Sequence, residues 1–181
     1  TMESYTEVIA AWDPGRSGAI AILYPNGRIT TWKNPGDAVV LCGLLRTHEV
    51  RHIIFESQNG AGSTRTGSPS MFSFGCHYGT YLTVFKVLDI KAHPVTAQAW
   101  QGTIDMHRPP RRKKGDPKRT EKEKSAAYRE RKRALCNAAE KLYPALNVTL
   151  TNCDALLLLA YAKANDIRKI ATADPAIYRG V

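Results

Sequence analysis

Three short strand-forming runs crowd into the first 33 residues, and the spacing between them leaves room only for tight turns. Val8 to Trp12 and Ala19 to Tyr24 are apolar stretches separated by Asp13-Pro14-Gly15-Arg16-Ser17-Gly18. Pro25-Asn26-Gly27-Arg28 then turns the chain into a third run, Ile29 to Lys33. Pro-Gly and Asn-Gly steps between strand-forming runs mark hairpin turns, so the expected product is an antiparallel meander. The next strand signal, His52 to Phe55 ending at Glu56, follows an interval in which Asp37 can cap a helix carrying Val40, Leu41, Leu44 and Leu45. A strand reached through a helix rejoins a sheet in parallel.

Beyond Glu56 the polar, glycine-rich segment 59–69 reads as a mobile loop. Ser70 to Leu88 suits a helix, with Gly75 and Gly79 giving it one smooth stripe, and Ile90 to Val95 is the last strand. A basic stretch leads into an amphipathic helix from about Thr120 to Leu142, closed by Tyr143-Pro144. A final helix begins near Asn152-Cys153-Asp154 and runs along ALLLLAYAKA, and the tail 166–181 carries no pattern. At 181 residues this order fits one α/β domain. The expected architecture is a five-stranded mixed sheet, three strands antiparallel and two parallel, flanked by helices, and it matches the ribonuclease H-like fold.

Charge narrows the function. The chain carries a formal net charge of +10, and residues 107–133 hold thirteen basic side chains against four acidic ones, nearly the whole excess. Such a segment points to a polyanion, and PPRRKKGDPKR at its start should order only when phosphate condenses it. The longest apolar run, Ala155 to Ala162, is far too short to span a membrane, and the acidic start TMESYTE has no signal-peptide core. Four scattered cysteines (Cys42, Cys76, Cys136, Cys153) form no metal or disulfide pattern and read as small buried hydrophobes. They fit a reducing compartment, the cytoplasm or an organelle matrix. His48 and His52 have a metal-ligand spacing but straddle a helix-to-strand junction rather than one helical face.

Three acids sit at the ends of apolar elements: Asp13 after the first strand, Glu56 at the end of the fourth, Asp154 at the start of the most apolar helix. Singly, each has an ordinary explanation as turn former, strand end or helix-dipole partner. In the expected topology the first and fourth strands are central neighbours and the last helix crosses them, so the three carboxylates converge. Like charges at that range require a counterion, and a divalent cation with oxygen ligands is the natural one. A pair of such cations would serve phosphodiester hydrolysis.

Asp13-Pro14-Gly15-x-x-Gly18-Ala19-Ile20-Ala21 resembles the first motif of RuvC-type Holliday junction resolvases, Ile53-Ile54-Phe55-Glu56 the second, and Asp154-Ala155-Leu156-Leu157-Leu158 the last. Phe72-Ser73-Phe74-Gly75, Tyr78-Gly79, Pro94-Val95 and Trp100 resemble phage-type and organellar members, and Arg131-Lys132-Arg133 ahead of Leu142-Tyr143-Pro144 resembles their basic helix. The resemblance spans Val8 to Asn165. It implies a homodimeric endonuclease that resolves four-way DNA junctions by paired symmetric nicks. Asp13, Glu56 and Asp154 would hold two Mg²⁺ or Mn²⁺ ions per site, and Lys132 would be the cation nearest the scissile phosphate, with Lys124 and Arg131 as alternates. One departure stands out: many relatives carry a fourth acid, or a His, three residues before the last Asp, where this chain has Thr151. The adjacent Asn152 could serve as a weak oxygen ligand or as a helix cap, and the cap is the expected role.

For DNA contacts the basic segment offers Arg111, Arg112, Lys113, Lys114, Lys118, Lys124, Arg131 and Arg133. The helix from Ser70 is the expected dimer surface through Phe74, Gly75 and Gly79, while Met71 and Phe72 sit where an apolar wedge could enter an open junction. Rival readings are a YqgF-like nuclease acting on structured RNA and a non-catalytic junction binder of the same fold. An actin-like kinase needs two such domains, and GAGSTRTG lacks the Gly-Lys-Ser/Thr ending of a phosphate-binding loop.

Overall fold

Alternate residues of the first strand, β1 (Val8–Trp12), feed two different cores: Ile9 and Ala11 on one face, Ala10 and Trp12 on the other. A strand buried on both faces lies inside a sheet covered by helices on each side, and its unbroken apolar sequence says so in advance. The computed structural model describes residues 6–15, 17–57, 69–104 and 120–172, and from 69 to 71 the backbone alone. After β1 come β2 (Ala19–Leu23), β3 (Ile29–Lys33), α1 (Ala38–Thr47), β4 (Val50–Glu56), α2 (Pro69–Val87) and β5 (Lys91–Val95). The chain continues with α3 (Ala97–Gly102), α4 (Glu121–Leu142), α5 (Cys153–Ala164) and a 3-10 turn at Ile167–Lys169.

The sheet order is β3-β2-β1-β4-β5. β1 pairs antiparallel with β2 and β2 with β3, whereas β4 runs parallel to both β1 and β5. This is the mixed sheet that the sequence implies. Gly27 takes the left-handed φ of +82° that the hairpin between β2 and β3 requires. On one face, Trp12 stacks on Tyr81 at 4.5 Å between ring centroids, within a core completed by Leu41, Leu45, Phe55 and Phe85. On the other, α5 lies against β1, β2 and β4 with Ala155 through Leu159 fully buried, and α4 packs over it through Leu135 and Ala139. A helix apolar all round is an interior helix. α4 is its opposite, exposed along most of its length and opened by a capping box in which Thr120 N–H donates to Glu123 Oε2 at 2.7 Å.

Several expectations need correction. Helix α3 was not anticipated; Thr96 caps it by accepting from the Ala99 N–H at 3.2 Å. The tail does not begin at 166 without pattern, because Ile167 is fully buried and the Ile170 carbonyl accepts a bond from His93 Nδ1 at 2.8 Å. His52 is likewise occupied, with His93 Nε2 3.0 Å from its Nδ1 and Glu7 Oε2 3.1 Å from its Nε2, while His48 Nδ1 lies 2.7 Å from the Tyr24 hydroxyl. Of the four free cysteines only Cys153 is buried, and Cys76 is exposed on α2. Residues 58–68, Met71's side chain, Arg111, Arg112, Lys113, Lys114, Lys118 and the tail beyond 172 lie outside the described residues.

Candidate active site

Strand alternation decides where the first two acids point. Ile9 and Ala11 of β1 and Ile54 of β4 face α5, so Asp13 and Glu56, each two residues further on, emerge on that same face. The ladder pairs Ala11 with Ile54 and Trp12 with Phe55, which brings Asp13 and Glu56 out side by side at the end of the two central strands. Asp154, in the first turn of α5, completes the group. Asp13, Glu56 and Asp154 line one cavity of about 240 Å³ together with Ser17, Gln101, Tyr128, Arg131 and Lys132.

The turn after β1 is tightly held. Asp13 N–H donates to the Ala19 carbonyl at 3.0 Å, and Asn34 Nδ2 donates to the carbonyls of Asp13 (2.9 Å) and Gly15 (2.6 Å). Gly18 is required by close approach, since a Cβ there would sit 2.2 Å from the Asp13 carbonyl oxygen. Glu56 accepts from the indole N–H of the buried Trp100 at 2.9 Å, and Gln101 Oε1 accepts from Arg131 Nη2 at 2.7 Å. Lys132 Nζ donates to Asp154 Oδ2 at 2.5 Å. The thiol of Cys153 lies 3.4 Å from the other Asp154 oxygen.

The electrostatics report an excess of negative charge. Burial, followed by the charge of Asp154, pushes the Asp13 carboxyl up from 3.8 to about 7; Lys132 pulls against this shift and Glu56 adds to it. Burial opposes the charge on Lys132, but Asp154 and then Asp13 outweigh it and hold the ammonium above its ordinary range. Three carboxylates face two cations there, Lys132 and the Gln101-bound Arg131. The oxygens of Asp13, Glu56 and Asp154 are the donors that suit a hard divalent cation such as Mg²⁺ or Mn²⁺. Among the described residues, no three acidic, His or Cys side chains are already drawn into the spacing of a closed metal site.

Of the expected DNA-contacting residues, Arg131 lines the cavity, whereas Arg133 opens onto a separate groove with Arg129 and Asn137. Lys124 lies beyond the cavity's edge, paired with Glu121 at 2.6 Å and neighbouring Tyr128 in an adjoining groove. Phe72 is 77% exposed, as a wedge would be, but Phe74 is half-buried and stacks on Tyr78 at 5.9 Å. Added Cβ atoms on Gly75 and Gly79 would meet nothing within 4 Å, so packing within the chain does not require these glycines. Asn152 does not cap α5 with its side chain. It staples the preceding loop instead, Oδ1 accepting from Thr149 N–H at 2.7 Å and Nδ2 donating to the Asn147 carbonyl at 3.0 Å. Sequence reasoning passed over Asn34, Gln101 and Tyr128; Thr96 ahead of Ala-Gln-Ala-Trp was the one available signal for the helix that presents Gln101.

The fold is that of RuvC. The chain is similar to a structure of "T. thermophilus RuvC in complex with Holliday junction substrate", with a TM-score of 0.58 and 11% identity over 92% of this chain and 99% of that one. A second, "Thermus thermophilus RuvC structure", gives a TM-score of 0.56 and 12% identity over 92% and 99%. No protein-family model matches the sequence, and no curated protein matches it.

Proposed function

We propose that this chain is a metal-dependent endonuclease that resolves four-way DNA junctions by paired nicks. The observation that carries the reading is the meeting of Asp13, Glu56, Asp154 and Lys132 around one cavity, beside the middle of the basic helix α4. The carboxylates of Asp13, Glu56 and Asp154 would hold Mg²⁺ or Mn²⁺, two per site. The bound cations would supply charge neutralisation for the phosphodiester and a nucleophilic water. Lys132 is the one ammonium in the cavity. It would face the phosphate and stabilise the charge that develops on its oxygens, or protonate the leaving 3′ oxygen through water. The products would be nicked duplexes with 5′ phosphates. Arg131, oriented by Gln101, and Lys124 would hold the flanking backbone, with Arg111, Arg112, Lys113, Lys114 and Lys118 adding phosphate contacts that position without reading sequence.

A two-fold substrate calls for two equivalent sites, which a homodimer supplies. The glycine-bearing outer face of α2, with Phe72 exposed near its start, is the proposed dimer surface. The similarity to a RuvC structure described as a complex with a Holliday junction substrate supports branched DNA as the partner. One observation favours the non-catalytic rival: Thr151 replaces a fourth acid, and Lys132 already neutralises Asp154. A cleavage assay separates the readings. The protein should nick a synthetic four-way junction symmetrically in Mg²⁺, leave linear duplex and structured RNA intact, and lose cleavage but not junction binding as Asp154→Asn. Binding without cleavage in either Mg²⁺ or Mn²⁺ would leave only the binder.

A further inference from the structure

Helix α3 is only six residues long, yet two of its consecutive side chains reach the cavity's polar groups. Gln101 engages Arg131 from α4, and Trp100 donates its indole N–H to Glu56 from β4. Trp100 is 1% exposed and belongs to the core built on α5, so its ring has no freedom to follow a carboxylate that moves. The bond, 2.9 Å from Nε1 to Oε2, therefore fixes the plane of the Glu56 carboxyl from the protein side. Glu56 is itself the last residue of its strand, and its carboxyl is one rotatable bond further from the backbone than an aspartate's. Unlike Asp13, whose backbone is laced into a turn, it has rotamers to lose.

We infer that Trp100 is a positioning residue for Glu56: its indole N–H holds one carboxylate oxygen so that the group enters the metal site in a single orientation. The inference rests on the proposed metal site and goes beyond it by assigning a role to an uncharged residue. Hydrogen-bond partners of metal-ligating carboxylates typically govern ten- to a hundredfold in metal affinity or activity. Mg²⁺ demands near-ideal octahedral geometry, so it should suffer more than the larger Mn²⁺ when the orientation loosens.

The test is calorimetric titration of Mn²⁺ and Mg²⁺ into the full chain without DNA, together with junction cleavage at varied metal concentration. The proteins are the parent, Trp100→Phe, Glu56→Gln and the double variant. Trp100→Phe should weaken metal binding at least tenfold, raise the Mg²⁺ requirement for cleavage more than the Mn²⁺ requirement, and leave junction affinity within twofold. In the Glu56→Gln background the same change should add less than twofold. Equal Mn²⁺ affinity of parent and Trp100→Phe overturns the inference, as does an undiminished effect in the Glu56→Gln background, which would mean that Trp100 acts through the fold. If Trp100→Phe melts, the indole isostere β-(3-benzothienyl)alanine at position 100 keeps the shape and deletes only the donor, and the same outcomes decide. A parent protein that binds no metal refutes the proposed function itself, a result distinct from any of these.

Discussion

Replacing Asp13 by Asn should stabilise the metal-free protein at alkaline pH while abolishing its cleavage activity. The native carboxyl ionises near pH 7, against 3.8 for the unreconstrained group. Between those values the unfolded chain binds fewer protons than the native one, so this group's contribution to stability is full below pH 3.8 and is lost as pH rises through 7. At ~1.4 kcal/mol per pH unit the whole displacement is worth about 4 kcal/mol, of which about 2.5 kcal/mol falls between pH 5 and pH 8. Asparagine cannot ionise, so the stability gap between Asp13→Asn and the parent should widen by that amount over the same range. For a chain of this size that is a widening of roughly 5–10 °C in the difference of melting temperatures. Thermal melts in chelator at pH 5, 6, 7 and 8 measure it, and titrating groups remote from Asp13 cancel in the comparison. Melting curves that shift in parallel for the two proteins from pH 5 to pH 8 would refute the account of a buried, charge-crowded carboxylate. Mg²⁺ added at pH 8 should raise the melting temperature of the parent and not of the variant, because binding to the native state alone stabilises it.

Lys132→Ala should lower the rate of junction cleavage by on the order of 10²–10³-fold with little change in junction affinity, as read by single-turnover kinetics and gel shift. Gly18→Ala drives a methyl into the Asp13 carbonyl and should cost about 1–3 kcal/mol in urea unfolding as well as metal binding. Burial holds His52 and His93 below their ordinary range, so native stability from this pair is full above about pH 6.5 and is lost as pH falls below it; His93→Gln should flatten that acid limb in pH-dependent melts. Gly79→Glu on the outer face of α2 should convert a dimer to a monomer in sedimentation without lowering the melting temperature of the monomer. Deleting 109–119 should flatten the salt dependence of junction affinity.

β1 and β2 were legible because each is an unbroken apolar run bounded by Gly, Pro or a charge, whereas β3 (ITTWK) was marked by the Asn-Gly turn before it and β4 by its Ile53-Ile54-Phe55 centre. The interior helix α5 was legible for the same reason. The convergence of Asp13, Glu56 and Asp154 followed from topology alone, since strand order and alternation fix it before any side chain is placed. What escaped was short-range and lateral. Six-residue α3 offers too few turns for periodicity to register, and nothing local marks Asn34, a single residue between Lys33 and Pro35, as the brace of a turn twenty residues away. Asn152 stands at the cap position of α5, but its amide reaches back to the 147–149 loop, a competition that composition cannot arbitrate.

The parallel register of β1 on β4, Ala11 against Ile54 and Trp12 against Phe55, carries a consequence for how such a scaffold can diversify. Two of its three acids inherit their separation from the β1–β4 ladder and the braced turn that follows β1. Changes of length in the chain between β4 and α2, or between α3 and α4, can therefore be made while the acidic pair stays in place. On the proposed function, substrate grip and cutting chemistry would then be open to redesign one without the other.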